Sequence, residues 1–233
     1  MNNRLPLISV LLSAYNSEST IDRAIESIIN QSYKNIELLI IDDYSSDSTY
    51  EKCDYYKNKY SNVSIYKNEK NLGLTASLNK LLNLSNGKYI ARQDADDYSS
   101  SNRLKFQINF LHMNKLDACT SRSIIQSSNK LIPGLSYYLP INFLIKYKNP
   151  FIHGSLLIKK KTLINLGGYD ENFKFAQDYK LMSDLIKNNY KVKIHKKPLY
   201  HLNMENNISV NYKKEQEYYA MCVRKNIIPS RKS

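Results

Sequence analysis

The fold is decided by residues 36–47, Ile-Glu-Leu-Leu-Ile-Ile-Asp-Asp-Tyr-Ser-Ser-Asp, where a continuous apolar run ends abruptly in a polar one. Residues 8–16 repeat this pattern, because the apolar run 8–12 is followed by Ser-Ala-Tyr-Asn. Apolar runs of this length with β-branched residues are typical of strands buried on both faces of a parallel sheet. The two runs therefore predict an α/β fold.

Helical patterns separate the predicted strands. Residues 21–29 carry apolar side chains at helical spacing, and residues 49–60 and 74–82 predict further helices, with strands at 63–66 and 89–91. The order βαβαβαβ predicts a Rossmann-like, mostly parallel central sheet with helices on both faces. Ligands of such sheets bind beyond the carboxyl ends of the strands. Three polar clusters stand at these ends: residues 13–16, 42–47 and 94–97.

The composition fits a single intracellular domain. A chain of 233 residues buries a core without help from disulfides. Cys53, Cys119 and Cys222 form no Cys-x-x-Cys pair, so neither a disulfide framework nor a structural zinc site is expected. No apolar run is long enough for a signal-peptide core or a membrane span. We therefore expect a cytoplasmic location.

The chain is strongly basic, with a formal net charge of +13. Charge alone leaves nucleic acid, an anionic membrane surface and an anionic substrate open as partners. A lysine-rich, solvated surface is the plain alternative. The basic residues cluster at three places: 159–161, 191–197 and 213–232.

The run Asp94-Ala95-Asp96-Asp97 follows the fourth predicted strand. Carboxylates crowded at a strand end repel one another unless a cation is held there. Oxygen ligands favour Mg²⁺ or Mn²⁺, and such an ion completes its shell with water and substrate phosphates. The run thus points to a metal-dependent site for a nucleotide diphosphate, unless Asp96 or Asp97 only caps a turn.

In combination, the motifs resemble those of the family 2 glycosyltransferases of GT-A fold. The similarity covers roughly residues 5–210, and the ordered set is specific although each motif alone is not. The donor-side motifs are residues 8–16, Asp42-Asp43-Tyr44-Ser45-Ser46-Asp47-Ser48-Thr49, Asn71-Leu72-Gly73 and Ala91-Arg92-Gln93-Asp94-Ala95-Asp96-Asp97. The acceptor-side motifs are Asn149-Pro150-Phe151-Ile152-His153-Gly154-Ser155, Gly167-Gly168-Tyr169-Asp170-Glu171 and Ala176-Gln177-Asp178-Tyr179.

The resemblance implies a nucleotide-sugar donor, a UDP-sugar, in a pocket at the strand ends. Asp43 would accept a hydrogen bond from the base, since the uracil ring N–H is a donor. Asp94 would contact the ribose or the sugar, and Asp96 would bind Mn²⁺ or Mg²⁺, which neutralises charge on the departing diphosphate. Arg92 and Arg103 would assist, or would pair structurally with the acidic cluster. The remaining donor-pocket residues are Ser13, Tyr15, Asn16 and Asn71.

Inversion at the anomeric carbon requires a base that takes the proton of the acceptor hydroxyl. The resemblance implies Asp178 for this role, at the start of a helix whose N-terminus would keep the carboxylate ionised. A helix cap is the alternative role for Asp178. His153 is a second candidate for the cleft, or else a packed, hydrogen-bonded histidine.

Three positions depart from the family pattern. Tyr44 stands where glycine is usual after the paired aspartates, so the turn avoids positive φ or tolerates strain. Gln177 replaces the usual Glu beside the predicted base. His201, in an altered segment, is a candidate for the missing metal or phosphate contact. These departures leave an inactive nucleotide-sugar-binding relative as the alternative to an active hexosyl- or N-acetylhexosaminyl-transferase.

Three other function classes fit less well. A dinucleotide-dependent oxidoreductase would need Gly-x-Gly-x-x-Gly where residues 13–16 stand. A nucleotidyltransferase would carry a Gly-rich, basic loop there. A basic nucleic-acid-binding α/β protein would use the charge and the tyrosines. Carboxylates in the cleft disfavour a phosphate backbone, so we expect no nucleic acid partner.

The acceptor implied by the resemblance is a glycan or lipid-linked glycan precursor of a surface polysaccharide such as lipopolysaccharide or capsule. We expect residues 1–210 to form a single GT-A domain, with its nucleotide-binding half at about 5–100 and its acceptor-side half at about 101–210. Residues 211–233 would form a basic C-terminal tail, with an amphipathic docking segment as the alternative for the last twenty residues. The basic clusters would favour peripheral binding to anionic lipids at the inner face of the membrane.

Overall fold

Four parallel strands form one half of the central sheet. The computed structural model describes residues 5–204 and 212–230. The strands are β1 (Ile8–Ala14), β2 (Ile36–Asp42), β3 (Val63–Lys67) and β4 (Tyr89–Asp94). β1 pairs in parallel with both β2 and β4, and β3 pairs in parallel with β2. All four strands predicted from the apolar runs are confirmed.

Helices connect these strands and cover both faces of the sheet. They are α1 (Ile21–Ile29), α2 (Thr49–Lys59) and α3 (Leu74–Leu84). Along β1, Val10 and Leu12 pack in one hydrophobic core together with Ile25 of α1, whereas Leu11 packs in a second core together with Leu78 of α3. Alternate residues of a strand point to opposite faces, so each face of the sheet has its own core.

The second half of the chain extends the sheet with mixed pairing. Its elements are β5 (Tyr98–Ser99), α4 (Arg103–Met113), β6 (Ala118–Ile125), β7 (Lys130–Ile132), α5 (Ile141–Leu144), β8 (Leu157–Lys159), α6 (Lys160–Asn165), α7 (Gln177–Lys187) and β9 (Val192–Leu202). The strand order is β3-β2-β1-β4-β8-β6-β9-β5, with β7 paired to β6. β8 runs antiparallel to both β4 and β6, and β9 runs parallel to β6. The predicted α/β fold with a mostly parallel sheet is therefore confirmed, with a mixed extension.

The segment before β8 differs from its sequence pattern. The apolar run 151–158 predicts a strand, but residues His153–Ser155 form a 3-10 turn and pairing begins only at Leu157. Gly154 of this turn packs directly against Asp94 and Tyr200. A turn therefore stands where the sequence pattern predicts a strand, directly before β8, which lies between β4 and β6.

Part of the expected C-terminal tail is helical. Helix α8 (Lys213–Lys225) buries Cys222 and Val223. The ring of Tyr219 packs against Phe173 and Phe175, with ring centroids 6.1 and 5.6 Å apart. Because these phenylalanines precede α7, the second half of the domain carries α8 on its surface. Within residues 5–204 and 212–230, no helix is long and apolar enough to cross a membrane.

Candidate functional site

The carboxyl ends of β1, β2 and β4 bring three predicted donor-pocket residues to one edge of the sheet. The strand register pairs Ser13 with Asp94 and Ala14 with Asp42. The backbone amide of Asp43 donates to the carbonyl of Ala14 over 2.8 Å. Ser13, Asp43 and Asp94 therefore lie at neighbouring strand ends.

Asp43 holds the loop that leads into α3. Its side chain is buried, with only 2% of the residue exposed. Oδ1 accepts hydrogen bonds from Asn68 Nδ2 over 2.7 Å and Leu72 N over 2.9 Å, and Oδ2 accepts one from Gly73 N over 2.8 Å. A carboxylate has about four lone-pair positions, so Asp43 retains acceptor capacity beside its structural bonds.

Tyr15, Asn16, Tyr44 and Asn71 lie in the exposed loops around these strand ends. Tyr15 and Tyr44 are 52% and 55% exposed, and Asn71 is also exposed. Asn16 Oδ1 accepts a hydrogen bond from Ser46 N over 2.9 Å, which ties the first loop to the second. Tyr44 has a φ of 70°. The turn therefore tolerates left-handed strain of about 1 kcal/mol where glycine would relieve it.

Arg92 and Arg103 are fully buried behind the strand ends. The Arg92 guanidinium donates to the carbonyl of Leu11 over 2.8 Å and pairs with a carboxylate oxygen of Asp94. Arg103 Nη1 donates to the carbonyls of Arg92 and Gly154, each over 2.9 Å. Burial lowers the pKa of Arg103 to about 10, so it stays charged at neutral pH. Arg92 thus pairs with Asp94 and orients it, whereas Arg103 donates to backbone carbonyls. The predicted contacts of both arginines with substrate stay predictions.

Tyr200 and Gly154 confine Asp94 further. The backbone amide of Asp94 donates to the Tyr200 hydroxyl oxygen over 3.0 Å. A Cβ at Gly154 would overlap both Tyr200 Oη and Asp94 Oδ2. The sequence analysis predicts neither residue as a support of Asp94, although Gly154 lies in the acceptor-side motif of residues 149–155.

The acidic run after β4 is electrostatically strained. Burial and the nearby charge of Asp94 raise the pKa of Asp96 to about 6 and that of Asp97 to about 8. Asp97 is buried and accepts a hydrogen bond from Asn203 N over 2.7 Å, whereas Asp96 is half-buried. Among the described residues, no three His, Cys, Asp or Glu side chains form a metal cage. The residues present fit an ion that Asp96 would hold and that water and substrate oxygens would complete.

Asp178 lies half-buried in the first turn of α7. Its Oδ2 accepts a hydrogen bond from Asn149 Nδ2 over 2.8 Å. That bond and the backbone N–H of Tyr179 favour the ionised form, but burial and the charge of Asp94 outweigh them and raise the pKa of Asp178 above its ordinary value. The helix N-terminus is therefore not the dominant influence on this carboxyl. A raised pKa strengthens a carboxylate as a base.

His153 and Gln177 are the other two predicted acceptor-side residues in this half of the chain. His153 Nε2 lies 3.1 Å from the Tyr169 hydroxyl. Burial, with a further contribution from Arg92, lowers the pKa of His153 well below its usual value, so the imidazole is neutral. His153 thus takes the packed, hydrogen-bonded alternative. Gln177 is the first residue of α7 and is half-buried.

His201 lies on β9, near the backbone of the acidic run. Its ring stacks on Tyr98 with centroids 4.2 Å apart, and its Nε2 lies 3.2 Å from Ser100 Oγ. Arg23 covers the Tyr98 ring and donates to the carbonyl of Asp96 over 3.1 Å. The predicted phosphate contact of His201 stays a prediction, and Arg23 is a cation in this region that sequence reasoning missed.

Comparison with known proteins defines the family. The chain matches the family model described as glycosyl transferase family 2 over residues 9–169. It is 35% identical over 170 residues to EpsE of Bacillus subtilis, and this alignment covers 72% of this chain and 61% of that protein. It is 30% identical over 183 residues to an Escherichia coli protein named UDP-Glc:alpha-D-GlcNAc-diphosphoundecaprenol beta-1,3-glucosyltransferase WfgD. This alignment covers 78% of this chain and 71% of that protein. The chain belongs to glycosyl transferase family 2, and it spans about three fifths of the length of EpsE.

Solved structures establish the same fold. S. aureus TarS residues 1–349, crystallised in complex with UDP, superposes with a TM-score of 0.75 at 21% identity over 93% of this chain and 64% of that chain. The mannosyltransferase PcManGT from Pyrobaculum calidifontis, in complex with GDP-Man and Mn²⁺, superposes with a TM-score of 0.76 at 16% identity over 97% of this chain and 67% of that chain. The predicted GT-A fold is therefore confirmed.

Proposed function

We propose that this protein is an inverting glycosyltransferase of the hexosyl- or N-acetylhexosaminyl-transferase type. It moves a sugar from a UDP-sugar to a hydroxyl of a glycan or lipid-linked glycan. The observation that carries the proposal is the placement of Asp178, which Asn149 holds and which lies close enough to Asp94 for that charge to raise its pKa. The proposed base would thus face the strand ends where a nucleotide-sugar would bind.

The donor class is supported by the relatives and by the strand ends. The name of WfgD gives UDP-Glc as its donor, and the TarS structure contains UDP. In this chain, Asp43 would accept the uracil N–H with its remaining lone pair, and Asp94 would bind the ribose or the sugar. Arg92 is buried behind Asp94 and would act by fixing its orientation.

A divalent cation is part of the proposal. When bound, Mn²⁺ or Mg²⁺ would stabilise negative charge on the departing diphosphate as a Lewis acid. Asp96 would hold it. Burial and then repulsion from Asp94 raise the pKa values of Asp96 and Asp97, and a bound cation would offset both effects, which supports this assignment. The PcManGT structure contains Mn²⁺ with its donor.

The chemical step is a single displacement. The acceptor oxygen forms a bond to the anomeric carbon as the bond from that carbon to the diphosphate oxygen breaks, and the bonding electrons leave with UDP. The acceptor proton passes to the carboxylate of Asp178, whose raised pKa favours the transfer. His153, neutral and bonded to Tyr169, would shape the cleft without taking this proton.

The acceptor class follows from a relative and from charge. The name of WfgD gives a diphosphoundecaprenol-linked sugar as its acceptor. A lipid-linked acceptor would place this protein at the inner face of a membrane, where each basic residue near anionic lipid contributes ~1 kcal/mol. Flotation with phosphatidylglycerol vesicles tests this part: we expect binding at low salt and release at high salt. No flotation at low salt would remove the membrane part of the proposal.

Calorimetric titration of UDP, with and without Mn²⁺, tests the function. We expect Mn²⁺-dependent binding by the wild type and by Asp54→Ala, a surface control on α2, and loss of that dependence in Asp96→Ala. Binding of GDP instead of UDP would correct the nucleotide. Absence of binding to either nucleotide would overturn the proposal.

A further inference from the structure

A cavity opens beside Asp178 on the side formed by α8. Its volume is about 320 Å³, within the range of small-molecule sites. Asn149 and Asp178 form part of its wall, and Lys148, Lys213 and Arg224 also line it. The proposed base therefore borders a space that the donor-side strand ends do not form.

One face of α8 builds this cavity. Lys213, Gln216, Ala220 and Arg224 all line it, and their spacing of three or four residues places them on one side of a helix. The buried side chain of Cys222 holds the helix in place, and Tyr219 packs against Phe173 and Phe175 in the segment before α7. Because the same segment leads directly into α7, the cationic wall is fixed relative to Asp178.

The wall carries more positive than negative charge. Lys148, Lys213 and Arg224 are exposed, and Glu217 and Asp178 are the acidic residues of the lining. Arg224 lies 3.5 Å from the carbonyl of Tyr147 through Nη1 and also hydrogen-bonds the Tyr179 side chain. A guanidinium has five N–H donors, so others are left for a ligand. Guanidinium and ammonium groups together bind phosphate oxygens through short, charge-assisted hydrogen bonds.

We propose that this cavity binds the acceptor and that Lys148, Lys213 and Arg224 contact its phosphate groups. The acceptor is then a sugar attached to a phosphate or diphosphate, and a neutral glycan lacks the group that this wall recognises. The inference rests on the proposed function, because the cavity is an acceptor site only if Asp178 is the base. It goes further by assigning acceptor recognition to α8.

Titration of hexyl diphosphate into UDP-saturated protein tests the inference. Saturation with UDP keeps the probe out of the donor pocket, and hexyl glucoside is the neutral probe with the same chain. The cavity variant combines Lys148→Gln, Lys213→Gln and Arg224→Gln. The matched control combines Lys146→Gln, Lys214→Gln and Lys225→Gln, which removes the same charge from exposed positions outside the lining.

We expect the wild type and the control to bind hexyl diphosphate and not hexyl glucoside. The cavity variant should bind hexyl diphosphate at least about tenfold more weakly, since three charge-assisted contacts are lost. Equal UDP affinity in all three proteins shows that they are folded. Hexyl diphosphate binding that is absent in the wild type, or unchanged in the cavity variant, overturns the inference.

Two further readouts separate the sources of phosphate and the two proposals. If the cavity variant loses only its binding to phosphatidylglycerol vesicles and keeps hexyl diphosphate binding, the wall contacts membrane headgroups and the inference is wrong. If UDP binds as proposed but hexyl diphosphate does not, the acceptor inference fails while the proposed function stands. If UDP itself does not bind, the proposed function fails first.

Discussion

Asn149 donates its side-chain amide to Asp178 Oδ2 over 2.8 Å, across 29 positions of the chain. The amide is oriented by its other end, because Asn149 Oδ1 accepts a hydrogen bond from Phe151 N over 3.1 Å. This bond favours the ionised carboxylate, while burial and Asp94 favour the protonated one. Opposing effects therefore act on the pKa of the proposed base, and the hydrogen bond from Asn149 is one of those that lower it.

Replacing the proposed base tests its role directly. We expect Asp178→Asn to lower the rate of sugar transfer by about 10²–10⁴-fold, because no carboxylate then takes the proton of the acceptor hydroxyl. UDP affinity should stay within about twofold of the wild type, since Asp178 lies outside the donor pocket. Asp184→Asn on the same helix is the control. Wild-type transfer by Asp178→Asn would show that another group takes the proton.

The pH profile should respond to Asn149. Transfer requires ionised Asp178, so kcat/KM should fall as pH drops through the pKa of this group. That pKa is raised, so the fall should begin at higher pH than for an ordinary Asp. Asn149→Ala removes a bond that lowers the pKa, and the acidic limb should therefore move to still higher pH.

The control for this profile is Asn172→Ala. Asn172 also donates its amide to an aspartate, Asp170, over 2.9 Å, but it is exposed. Its profile should match that of the wild type. If the acidic limb of Asn149→Ala stays at the same pH as that of the wild type, the group that titrates in the profile is not Asp178.

Local sequence patterns were sufficient for the nucleotide-binding half. Strands β1 and β2 are buried on both faces, so their apolar runs are continuous, and the polar residues that end them mark the edge of the sheet. Asp43, Asp94 and Ser13 could therefore be placed together from spacing alone. Their bonding partners could not, because Asn68 and Tyr200 come from distant segments whose register the sequence does not show.

Long-range packing decided what the sequence could not. Arg92 lies in β4, which pairs with β1 on one side and β8 on the other. This pairing buries its guanidinium behind Asp94. Helix α8 is lysine-rich, and its anchoring depends on Tyr219 meeting Phe173 and Phe175. Nothing local in residues 213–225 separates such a helix from a solvated tail.

Asp43 should be needed for stability as well as for the donor. Asp43→Asn turns one carboxylate oxygen into an amide donor that faces an existing donor, either Gly73 N or the pair at Oδ1. A buried donor left without its acceptor costs about 1–3 kcal/mol. Calorimetric unfolding should show this loss, and UDP affinity should fall with it. Asp54→Asn, at a half-buried surface position, is the control, and an unchanged Tm in Asp43→Asn would contradict the structural role.

Gly154 should tolerate no side chain. In Gly154→Ala the new Cβ overlaps both Tyr200 Oη and Asp94 Oδ2, so both groups must move. Overpacking of this kind costs about 1–3 kcal/mol, and displacement of Asp94 should lower sugar transfer by at least about tenfold. Lys105→Ala, at an exposed position on α4, is the control.

The pair Gly154→Ala and Tyr200→Phe separates the two overlaps. Removing the Tyr200 hydroxyl relieves the overlap at Oη, but ring Cζ stays 2.5 Å from the new Cβ, so the double variant should recover only a small part of the lost Tm. The Phe also removes the acceptor of the Asp94 amide, so transfer should stay low even where stability returns. If Gly154→Ala alone matches Lys105→Ala in both Tm and transfer, the close contact of this turn with Asp94 has no part in holding the site.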